Sequence, residues 1–511
     1  MRKSFMITFI LFGVLVFASN ALAATYYVAT TGSDSGAGGS ASPFKTIQKG
    51  LSALVPGDTL VIRDGTYAES LSAGMVPSGT SGNVITIQSE PDGGVSLAGN
   101  VTLGTTSTKA QYLKFQGFKV TGGFNLYYVN NIFLKNMGLT DNSGGNSVLA
   151  IGTNDGGGSL SSSYITIEDS WIWGNARKVF GPLNADHIIL RRVIMRNDGC
   201  QSSGHYCASN SGNWMSGSNV YNSSQVSMQN VLALDNVVGP SGFNGGADFW
   251  TAWHTNAGSH GWGQNEWLGC LSLNSEFGGF VTDTDNIGGI LTPSVTYTND
   301  VAWNMKGNGF NAQCGDCTNA QGIYSNITVY HTDTGGDAFN MHYSASSRVM
   351  NLVVLGAARY GVFSSVAPTY VDNTVSTAYN GASCSAGCKT SNPLTDGSIK
   401  YITRIETGSP LKGTGSGGAD YGANIIFRYG TDGTFYGESG YNSLSSTALW
   451  PWPYEARIKK EMCTDSGVTR GFCAAQTLTK YVWEYLGNPI PPEIYGASAT
   501  PPSAPGNLRI R

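Results

Sequence analysis

Charged side chains are scarce in this sequence. Asp, Glu, Lys and Arg together make up 12% of its 511 residues, about half of the share in a typical soluble domain. The formal net charge is only −4, so the chain lacks the basic excess that accompanies nucleic-acid binding. We therefore expect no nucleic-acid partner.

Long hydrophobic runs are also missing beyond the first residues. Arg2 and Lys3 precede a mostly apolar stretch, residues 5–18, which is shorter than the roughly 20 residues of a membrane-spanning helix. The small residues Ala21-Leu22-Ala23 follow. This order predicts a secretory signal peptide over residues 1–23, the alternative being an uncleaved anchor. We expect a secreted protein (extracellular, cell-surface or periplasmic) with no membrane span after cleavage.

Several catalytic and metal-binding motifs are absent. The sequence has no Gly-x-Ser-x-Gly, no adjacent pair of Asp residues and no second Cys-x-x-Cys beside Cys314-Gly-Asp-Cys317. Nine cysteines suit an oxidising compartment, and Cys314/Cys317 fit a local disulfide or two buried thiols better than half of a zinc site or a redox motif. The four candidate local pairs, which leave Cys270 over, are Cys200/Cys207, Cys314/Cys317, Cys384/Cys388 and Cys463/Cys473.

Glycine and short apolar stretches are what the sequence has in abundance. Glycine accounts for 69 of 511 residues, nearly twice its usual share of ~7%. From about residue 111, alternating apolar stretches such as "YLKFQGFKV", "YITIEDSWIW" and "SVTYTNDVAW" recur, and each is typical of a strand. The starts at Val295, Ile323 and Val349 are 28 and 26 residues apart.

This period predicts an all-β solenoid, a right-handed parallel β-helix over residues 24–430. One coil cannot bury its inward side chains alone, whereas stacked coils bury them against each other. A β-propeller needs units of about 40–50 residues, which the spacing does not match. Gly and Asn are expected at the sharp corners.

Both ends of such a solenoid need protection against edge pairing. Phe44, Ile47, Leu51 and Leu54 have helical spacing and predict an N-terminal capping helix before the strand "TLVIRDGTY". Residues 431–490 contain charged, helix-spaced segments and predict a small C-terminal helical cap. Residues 491–511 are a Pro-rich tail that resembles the start of a fibronectin type III module. We expect a monomer.

Two stretches resemble a known group of proteins. "GSDSGAGGSASPFKTIQKGL…PGDTLVIRDGTY" is similar to the N-terminal cap of secreted β-helix proteins of the pectate-lyase-like superfamily, in particular polysaccharide lyases of the family 9 and family 6 types. "GSPLKGTGSGGADYGANI", residues 408–425, resembles the closing segment of bacterial β-helix proteins. The resemblance implies a polysaccharide partner and, for a lyase, cleavage of a uronate glycan by β-elimination.

The resemblance also implies a basic residue and Ca²⁺. The base removes the proton next to a uronate carboxylate, and Ca²⁺ bound by clustered Asp neutralises that carboxylate. Lys306 is the candidate base. The candidate metal ligands on successive coils are Asp248, Asp283, Asp285 and Asp337.

The sequence departs from both lyase types. "GNGFNAQ" has Gln313 where the family 9 pattern has its basic Lys, and "GGDAFN" retains only Asp337 of the acidic set. The family 6 type needs Lys and Arg on neighbouring coils. Arg177-Lys178 and Arg191, Arg192 and Arg196 could supply them, but a solvated surface balanced by Glu168, Asp169 and Asp198 fits these residues better.

A long polar, Gly-rich turn, residues 239–265, carries unusually many aromatic residues. Trp faces stack on sugar rings, so the candidate substrate-binding residues are Trp250, Trp253, His254 and Trp262. The alternative is that these rings fold the turn onto the solenoid. The residues leave two functions open. One is a polysaccharide lyase, and the other is a non-catalytic carbohydrate-binding, adhesive or structural surface protein.

Overall fold

The computed structural model is a solenoid of parallel strands with three faces. It describes residues 23–153, 160–199, 214–239, 244–254, 264–285, 294–314, 321–331, 337–341, 347–356, 359–364, 370–376 and 378–495. Each coil contributes a strand to the first face, then the second, then the third, and every pairing between coils is parallel. The all-β fold class is therefore confirmed.

The first and second faces belong to one 21-stranded sheet, since β3 and β30 run around the corner between them. The strands of the first face are β1 Thr25–Val28, β2 Thr59–Tyr67, β3 Ile85–Leu97, β5 Ala110–Gln116, β8 Val129–Lys135, β11 Ser162–Glu168, β14 Ala185–Arg191, β17 Ser224–Gln229, β21 Gln264–Leu268, β24 Ser294–Thr298, β27 Gln321–Ser325, β30 Arg348–Leu355 and β32 Tyr370–Val375. The strands of the second face are β6 Phe118–Val120, β9 Gly138–Asp141, β12 Trp171–Gly174, β15 Ile194–Asn197, β18 Leu232–Leu234, β22 Leu271–Ser275, β25 Val301–Met305 and β28 Thr328–His331.

The third face is a separate 12-stranded sheet. Its strands are β4 Val101–Leu103, β7 Phe124–Leu126, β10 Ser147–Ile151, β13 Lys178–Pro182, β16 Trp214–Tyr221, β19 Asn244–Gly245, β20 Ala247–His254, β23 Gly278–Asp285, β26 Phe310–Cys314, β29 Phe339–Met341, β31 Val362–Ser364 and β33 Tyr379–Asn380. A two-stranded antiparallel pair follows, β34 Phe427–Tyr429 and β35 Leu444–Ala448.

The corner between the first and second faces is built from left-handed residues. Asn occupies it in most coils, for example Asn136, Asn230 and Asn326 with φ of 53°, 50° and 55°. Asn tolerates this conformation better than most residues. The Asn residues predicted at equivalent turns are therefore present, and their backbone N–H groups donate to the next coil, as Asn230 does to Leu268 O at 2.8 Å.

The predicted stacking of Val295, Ile323 and Val349 needs a correction of one residue. Ile323 pairs with Thr296 on one side and with Arg348 on the other. The inward stack is formed instead by Tyr297, Tyr324 and Val349. Strand side chains alternate between faces, so a one-residue offset places Val295 and Val349 inside while Ile323 lies outside.

Aromatic stacks fill the interior of the later coils. Phe280 lies between Phe249 and Phe310, with ring centroids 4.6 and 4.4 Å apart. Tyr297 lies 5.0 Å from both Trp267 and Tyr324. Equivalent inward positions thus align from coil to coil, and this alignment fixes which side chains point outward.

The predicted N-terminal capping helix is present as α1, Ile47–Leu51. Thr46 begins the helix, and its side-chain oxygen accepts a hydrogen bond from Lys49 N, a common arrangement at helix N-termini. The four apolar residues that predicted the helix, Phe44, Ile47, Leu51 and Leu54, are all buried. The strand predicted after it is β2.

Residues 416–495, called the C-terminal segment below, contain the expected helices, α2 Glu455–Lys459 and α3 Leu478–Trp483. Short helical turns lie at Ser416–Gly418, Lys460–Thr464, Gly471–Cys473 and Pro492–Ile494. The segment does not close the far end of the solenoid but lies along its side. Arg457 contacts Asp92 of an early coil at 3.2 Å, and Tyr485 binds Asn304 of a late coil at 3.1 Å.

Outward apolar residues on the second face explain this placement. Trp171 and Trp303 point away from the solenoid interior yet are only 0% and 2% exposed, since the C-terminal segment covers them. Trp171 Nε1 also donates to Glu461 Oε2 at 2.8 Å. The boundaries predicted at residues 430 and 490 stay predictions, and the tail beyond residue 495 lies outside the described residues.

Two of the predicted local cysteine pairs are disulfides, Cys384–Cys388 and Cys463–Cys473. Cys270 is a free, buried cysteine. This confirms the prediction that left Cys270 outside the four local pairs. Cys200 and Cys207, and the Cys314 side chain and Cys317, lie outside the described residues. Over the part of the chain that is described, no helix has the length and apolar character to cross a membrane.

We predict that Phe280→Ala destabilises the protein by about 3–5 kcal/mol, because a cavity opens in the middle of the aromatic stack. Chemical denaturation followed by tryptophan fluorescence would measure the loss. Val84→Ala, at a position 42% exposed, is the control and should change stability by no more than about 0.5 kcal/mol. Equal stability of the two variants would contradict the stacked interior.

Candidate functional site

The outer side of the third face carries a groove of about 680 Å³. Its floor is formed by outward residues of β13, β16, β20, β23 and β26, and the turns that lead into these strands form one wall. Asn219, Trp250, Val281 and Asn311 occupy equivalent outward positions on four successive coils. The groove therefore runs along the solenoid axis, across the strands.

Lys178 lies at one end of this groove and is 8% exposed. Burial, and then the neighbouring positive charge of Arg177, lower the pKa of the Lys178 amine to about 7. Near neutral pH a large fraction of this amine is thus unprotonated, which is the form that can accept a proton. Arg177 also lines the groove, and its Nε donates to Trp214 O at 3.1 Å.

A glycine makes room for the Lys178 side chain. Gly181 follows three residues later on the same strand, and a Cβ there would lie 3.3 Å from Lys178 Cδ and 2.5 Å from Ser147 Oγ. Any larger residue at position 181 would have to displace one of these side chains. The local sequence "KVFGP" therefore provides both the amine and the space beside it.

Two tryptophans form an aromatic part of the groove. Trp214 is 50% exposed, and Trp250 is half-buried on the groove floor. Their rings meet edge to face, with centroids 6.4 Å apart. Of the predicted sugar-binding residues, Trp250 thus lines the groove; the Trp253 and His254 side chains and all of Trp262 lie outside the described residues.

Asp248, a predicted metal ligand, is bound by other side chains inside the solenoid. Its carboxylate accepts hydrogen bonds from Asn236 Nδ2 at 2.7 Å, Ser275 Oγ at 2.7 Å and Ser272 Oγ at 2.5 Å. Burial raises the pKa of Asp248 to about 7. Asp248 therefore stabilises the interior polar network instead of facing the groove.

The other predicted metal ligands do not gather around Asp248. Asp337 is buried, and its two carboxylate oxygens bind Arg359 Nε and Nη2 at 2.9 and 2.5 Å. Asp283 lines the groove. Asp285 belongs to β23, but its side chain is outside the described residues. The described carboxylates therefore do not form the four-Asp calcium site that the family resemblance implied.

Lys306, the predicted base, lies at an exposed corner before β26. Its amine forms an ion pair with Glu276, and its side chain is 65% exposed. The two following residues, Gly307 and Asn308, line the groove, whereas Lys306 is not among the described lining residues. An exposed, paired amine beside the groove is a weaker candidate than the buried amine of Lys178.

Glu168, Asp169 and Asp432 have carboxylate oxygens close enough to share a cation. Their charge is instead balanced by basic side chains: Lys135 Nζ and Arg191 Nη1 each bind Glu168 at 2.8 Å, and Arg192 binds Asp169 at 2.5 Å and Asp432 at 2.9 Å. Three cations meet three anions, so we assign this cluster to folding.

These contacts correct the expectation of a solvated basic surface. Glu168 and Asp169 are the partners that the sequence suggested, and Asp198 pairs with Arg196 at 2.7 Å. However, Arg191, Arg192 and Arg196 are all fully buried beneath the C-terminal segment. Lys178 belongs to another face of the solenoid, so the basic stretch divides into a structural part and a groove part.

The Lys178 site could have been identified only in part from sequence. Arg177-Lys178 was visible as a basic pair, but its separation from Arg191 and Arg192 depends on which residues turn the corners. Lys178 follows the Gly174-Asn175 corner by three residues and precedes Gly181 by three, and this spacing forms no recognised motif. Burial, which lowers the pKa of the amine, is a property of the folded coils.

Comparison with known proteins supports the fold. Residues 26–176 match the family model described as "Pel9A-like, right handed beta helix region". The predicted likeness to pectate-lyase-like β-helices is thus confirmed, and the match covers less than a third of the chain. No curated protein matches the sequence.

Solved structures with related architecture have low identity to this chain. The crystal structure of pectate lyase Pel9A is 18% identical, with 78% of this chain and 95% of that chain covered and a TM-score of 0.47. A complex of XylC with xylose is 10% identical, with 72% and 86% covered and a TM-score of 0.48. A rhamnogalacturonan lyase is 16% identical, with 76% and 92% covered and a TM-score of 0.34.

We predict that Asp248→Asn removes a pH dependence of stability. In the folded protein Asp248 keeps its proton up to a pH of about 7, whereas the unfolded carboxyl releases it near 3.8. The folded state therefore binds more protons between these values, and wild-type stability falls as the pH rises through this window.

The expected loss in wild type is on the order of 1–4 kcal/mol, measured by denaturation at intervals of about one pH unit between about pH 4 and pH 7. Asp248→Asn should show a flatter profile, while the exposed-residue control Asp64→Asn should follow wild type. Identical profiles for wild type and Asp248→Asn would contradict the buried position of this carboxyl.

Proposed function

We propose that this protein is a secreted polysaccharide lyase that cleaves a uronate-containing glycan in the groove of the third face. The observation that carries the proposal is the combination of Lys178, a buried amine with a pKa of about 7, with Arg177 in one groove. A base poised near neutral pH beside a permanent cation suits removal of a proton next to a carboxylate.

The reaction follows from these two groups. Arg177 binds the uronate carboxylate and so makes the adjacent C5 proton more acidic. Lys178 removes this proton, the C5–H electron pair forms the C4–C5 double bond, and the C4–O glycosidic bond breaks. The leaving oxygen takes a proton from water, and the protonated Lys178 returns its proton to solvent.

Aromatic side chains support a polysaccharide as the ligand. Trp214 and Trp250 offer ring faces and edges at the same groove, and such rings pack on the C–H faces of sugars at low entropic cost. The groove runs along the solenoid axis, so a polysaccharide longer than the groove could bind in it. Export from the cell is proposed from the predicted signal peptide at residues 1–23.

A non-catalytic glycan-binding protein is the second candidate. The position that matches the basic Lys of family 9 lyases is Gln313, and the described acidic residues do not form a calcium site. The same groove would then bind the polysaccharide without cleaving it. Formation of the unsaturated uronate, which absorbs in the ultraviolet, separates the two candidates.

We predict that Lys178→Met abolishes this product on a panel of acidic polysaccharides, with a loss of at least about 100-fold. In wild type the rate should rise with pH through about 7 as the amine loses its proton. Lys460→Ala, at a distant exposed lysine, is the matched control. Loss of product in Lys306→Ala but not in Lys178→Met would restore the sequence-based candidate.

Calcium dependence is tested in the same assay. No step above uses a metal ion, because Asp248 and Asp337 are bound by other side chains. We expect product formation to survive a chelator such as EDTA. A rate that falls with EDTA and returns on addition of Ca²⁺ would contradict this metal-free step and leave Asp283 and Asp285 as the ligands to test by substitution.

A further inference from the structure

We infer that a redox-dependent clip closes the C-terminal end of the solenoid, so that the edge of its last strand is sealed only after Cys384 and Cys388 have formed their disulfide. The clip consists of residues 384–389, "CSAGCK". It shares no residue with the described lining of the groove, so the proposed lyase activity can fail without affecting it.

The last strand of the first face, β32, has one side that no further coil covers. Its other side pairs with β30, and β32 is the last first-face strand along the described chain. An uncovered strand edge exposes N–H and C=O groups that can pair with another chain. The C-terminal end of the stack therefore needs a cap, as the N-terminal end does.

The clip covers this edge with backbone hydrogen bonds. They run from Ser385 N to Val371 O, from Asn373 N to Ala386 O, from Lys389 N to Thr374 O and from Ser376 N to Lys389 O, at distances of 2.7–3.1 Å. Val375 and Lys389 also form a parallel bridge. The clip thus takes the place that a strand of the next coil would occupy.

A glycine allows the clip to turn against the strand. Gly387 has a φ of 67°, which favours glycine, and a Cβ at this position would lie 2.0 Å from Asn373 Oδ1. The hydroxyl of the buried Tyr421 donates to Gly387 O at 2.5 Å. The turn between the two cysteines is therefore fitted closely to the strand edge.

Side-chain burial contributes little to holding the clip in place. Residues 385–388 are exposed, and Cys384 is partly buried against the interior of the solenoid. The N-terminal cap differs, because it buries Ile47 and Leu51 of α1 and contains no cysteine. Segments with few buried apolar contacts open readily, so the covalent bond between Cys384 and Cys388 does for the clip what apolar burial does for the helix.

This disulfide is the more accessible of the two in the described part of the chain. Cys388 is exposed, whereas Cys463 of the other disulfide is 4% exposed. A thiolate must reach a sulfur atom to exchange with a disulfide. An external dithiol therefore reduces Cys384–Cys388 to two thiols first and is itself oxidised to a disulfide; in the closing direction, the two thiols give two electrons to an external disulfide.

Closure of such a small ring has a moderate effect on the opening equilibrium. The two cysteines are four positions apart, and the chain entropy removed by a ring of this size favours the closed clip by about 30-fold. The reduced protein thus exposes the edge of β32 more often. Disulfides persist in oxidising compartments, so in a chain with a predicted signal peptide the cap is completed after export.

The test is hydrogen–deuterium exchange with peptide mapping on the full chain, comparing wild type with the double variant Cys384→Ser/Cys388→Ser. We expect the amides of Asn373 and Ser376, which bond to the clip, to exchange about 30-fold faster in the variant. Residues 185–191 in the middle of the first face should be unchanged. Cys463→Ser/Cys473→Ser and Ser385→Ala are the controls and should leave the exchange of residues 370–376 as in wild type.

Reduction of the wild-type protein provides a second measurement that needs no substitution. At limiting dithiothreitol, alkylation should label Cys384 and Cys388 before Cys463 and Cys473, and exchange of residues 370–376 should rise to the level of the double variant. Tyr421→Phe removes the hydroxyl that binds Gly387 O, and should accelerate exchange by roughly a further three- to tenfold in the reduced protein.

Unchanged exchange of residues 370–376 after selective reduction would overturn the clip, and so would reduction of Cys463–Cys473 before Cys384–Cys388. If the double variant does not fold, exchange in the reduced wild-type protein decides the question. Faster exchange confined to residues 370–376 and the clip would support the inference.

Discussion

Parallel pairing between coils is the interaction on which the rest of the structure depends. It works only if every coil turns its corner at the same place, and residues that accept a left-handed conformation provide this: mostly Asn, with Gly117 and Gly269 in two coils. Arg192 is an exception, with φ of 51°, in a region that bulky residues rarely adopt. Its ion pairs with Asp169 and Asp432 hold it there. The coil register then determines that Phe280 is inside and Val281 is outside.

The same register decides which basic side chains are enclosed in ion pairs and which line the groove. Arg191 belongs to the first face and is enclosed between the solenoid and residues 431–443, where Glu168 and backbone carbonyls such as Tyr441 O satisfy it. Lys178 lies only 13 residues earlier in the sequence but on the third face. It lies beside Arg177, and no carboxylate among the described residues balances its charge. Burial lowers the pKa of both groups, but Glu168 acts as a counter-charge for Arg191, whereas Arg177 adds a like charge beside Lys178. The pKa of Lys178 therefore falls to about 7.

The solenoid, the strand β2 and the helix α1 could be predicted from sequence because they depend on local patterns: alternation, helical spacing and corner residues. The period was also recognisable, but the register of Val295, Ile323 and Val349 was off by one, since apolar residues occupy both sides of covered strands. The site could not be obtained in the same way. Asp248 and Asp337 were reasonable metal ligands by residue type, but their partners, Ser272 and Arg359, become neighbours only when coils stack. Lys306 and Lys178 look alike in sequence, and burial alone distinguishes them.

The C-terminal segment covers much of the second face and leaves the groove of the third face open. On the first and second faces, outward polar and aromatic groups are paired by this segment: Glu266 by Asn442, Trp171 by Glu461. Unpaired buried polar atoms do not mark the third face, since they occur on every face, for example Thr140 Oγ1 on the second and Asn311 Oδ1 on the third. The groove is distinguished instead by being open to solvent and by Lys178, the amine whose pKa burial lowers to about 7. The proposed function depends on these two features, because a base must be both accessible to a substrate and unprotonated near neutral pH.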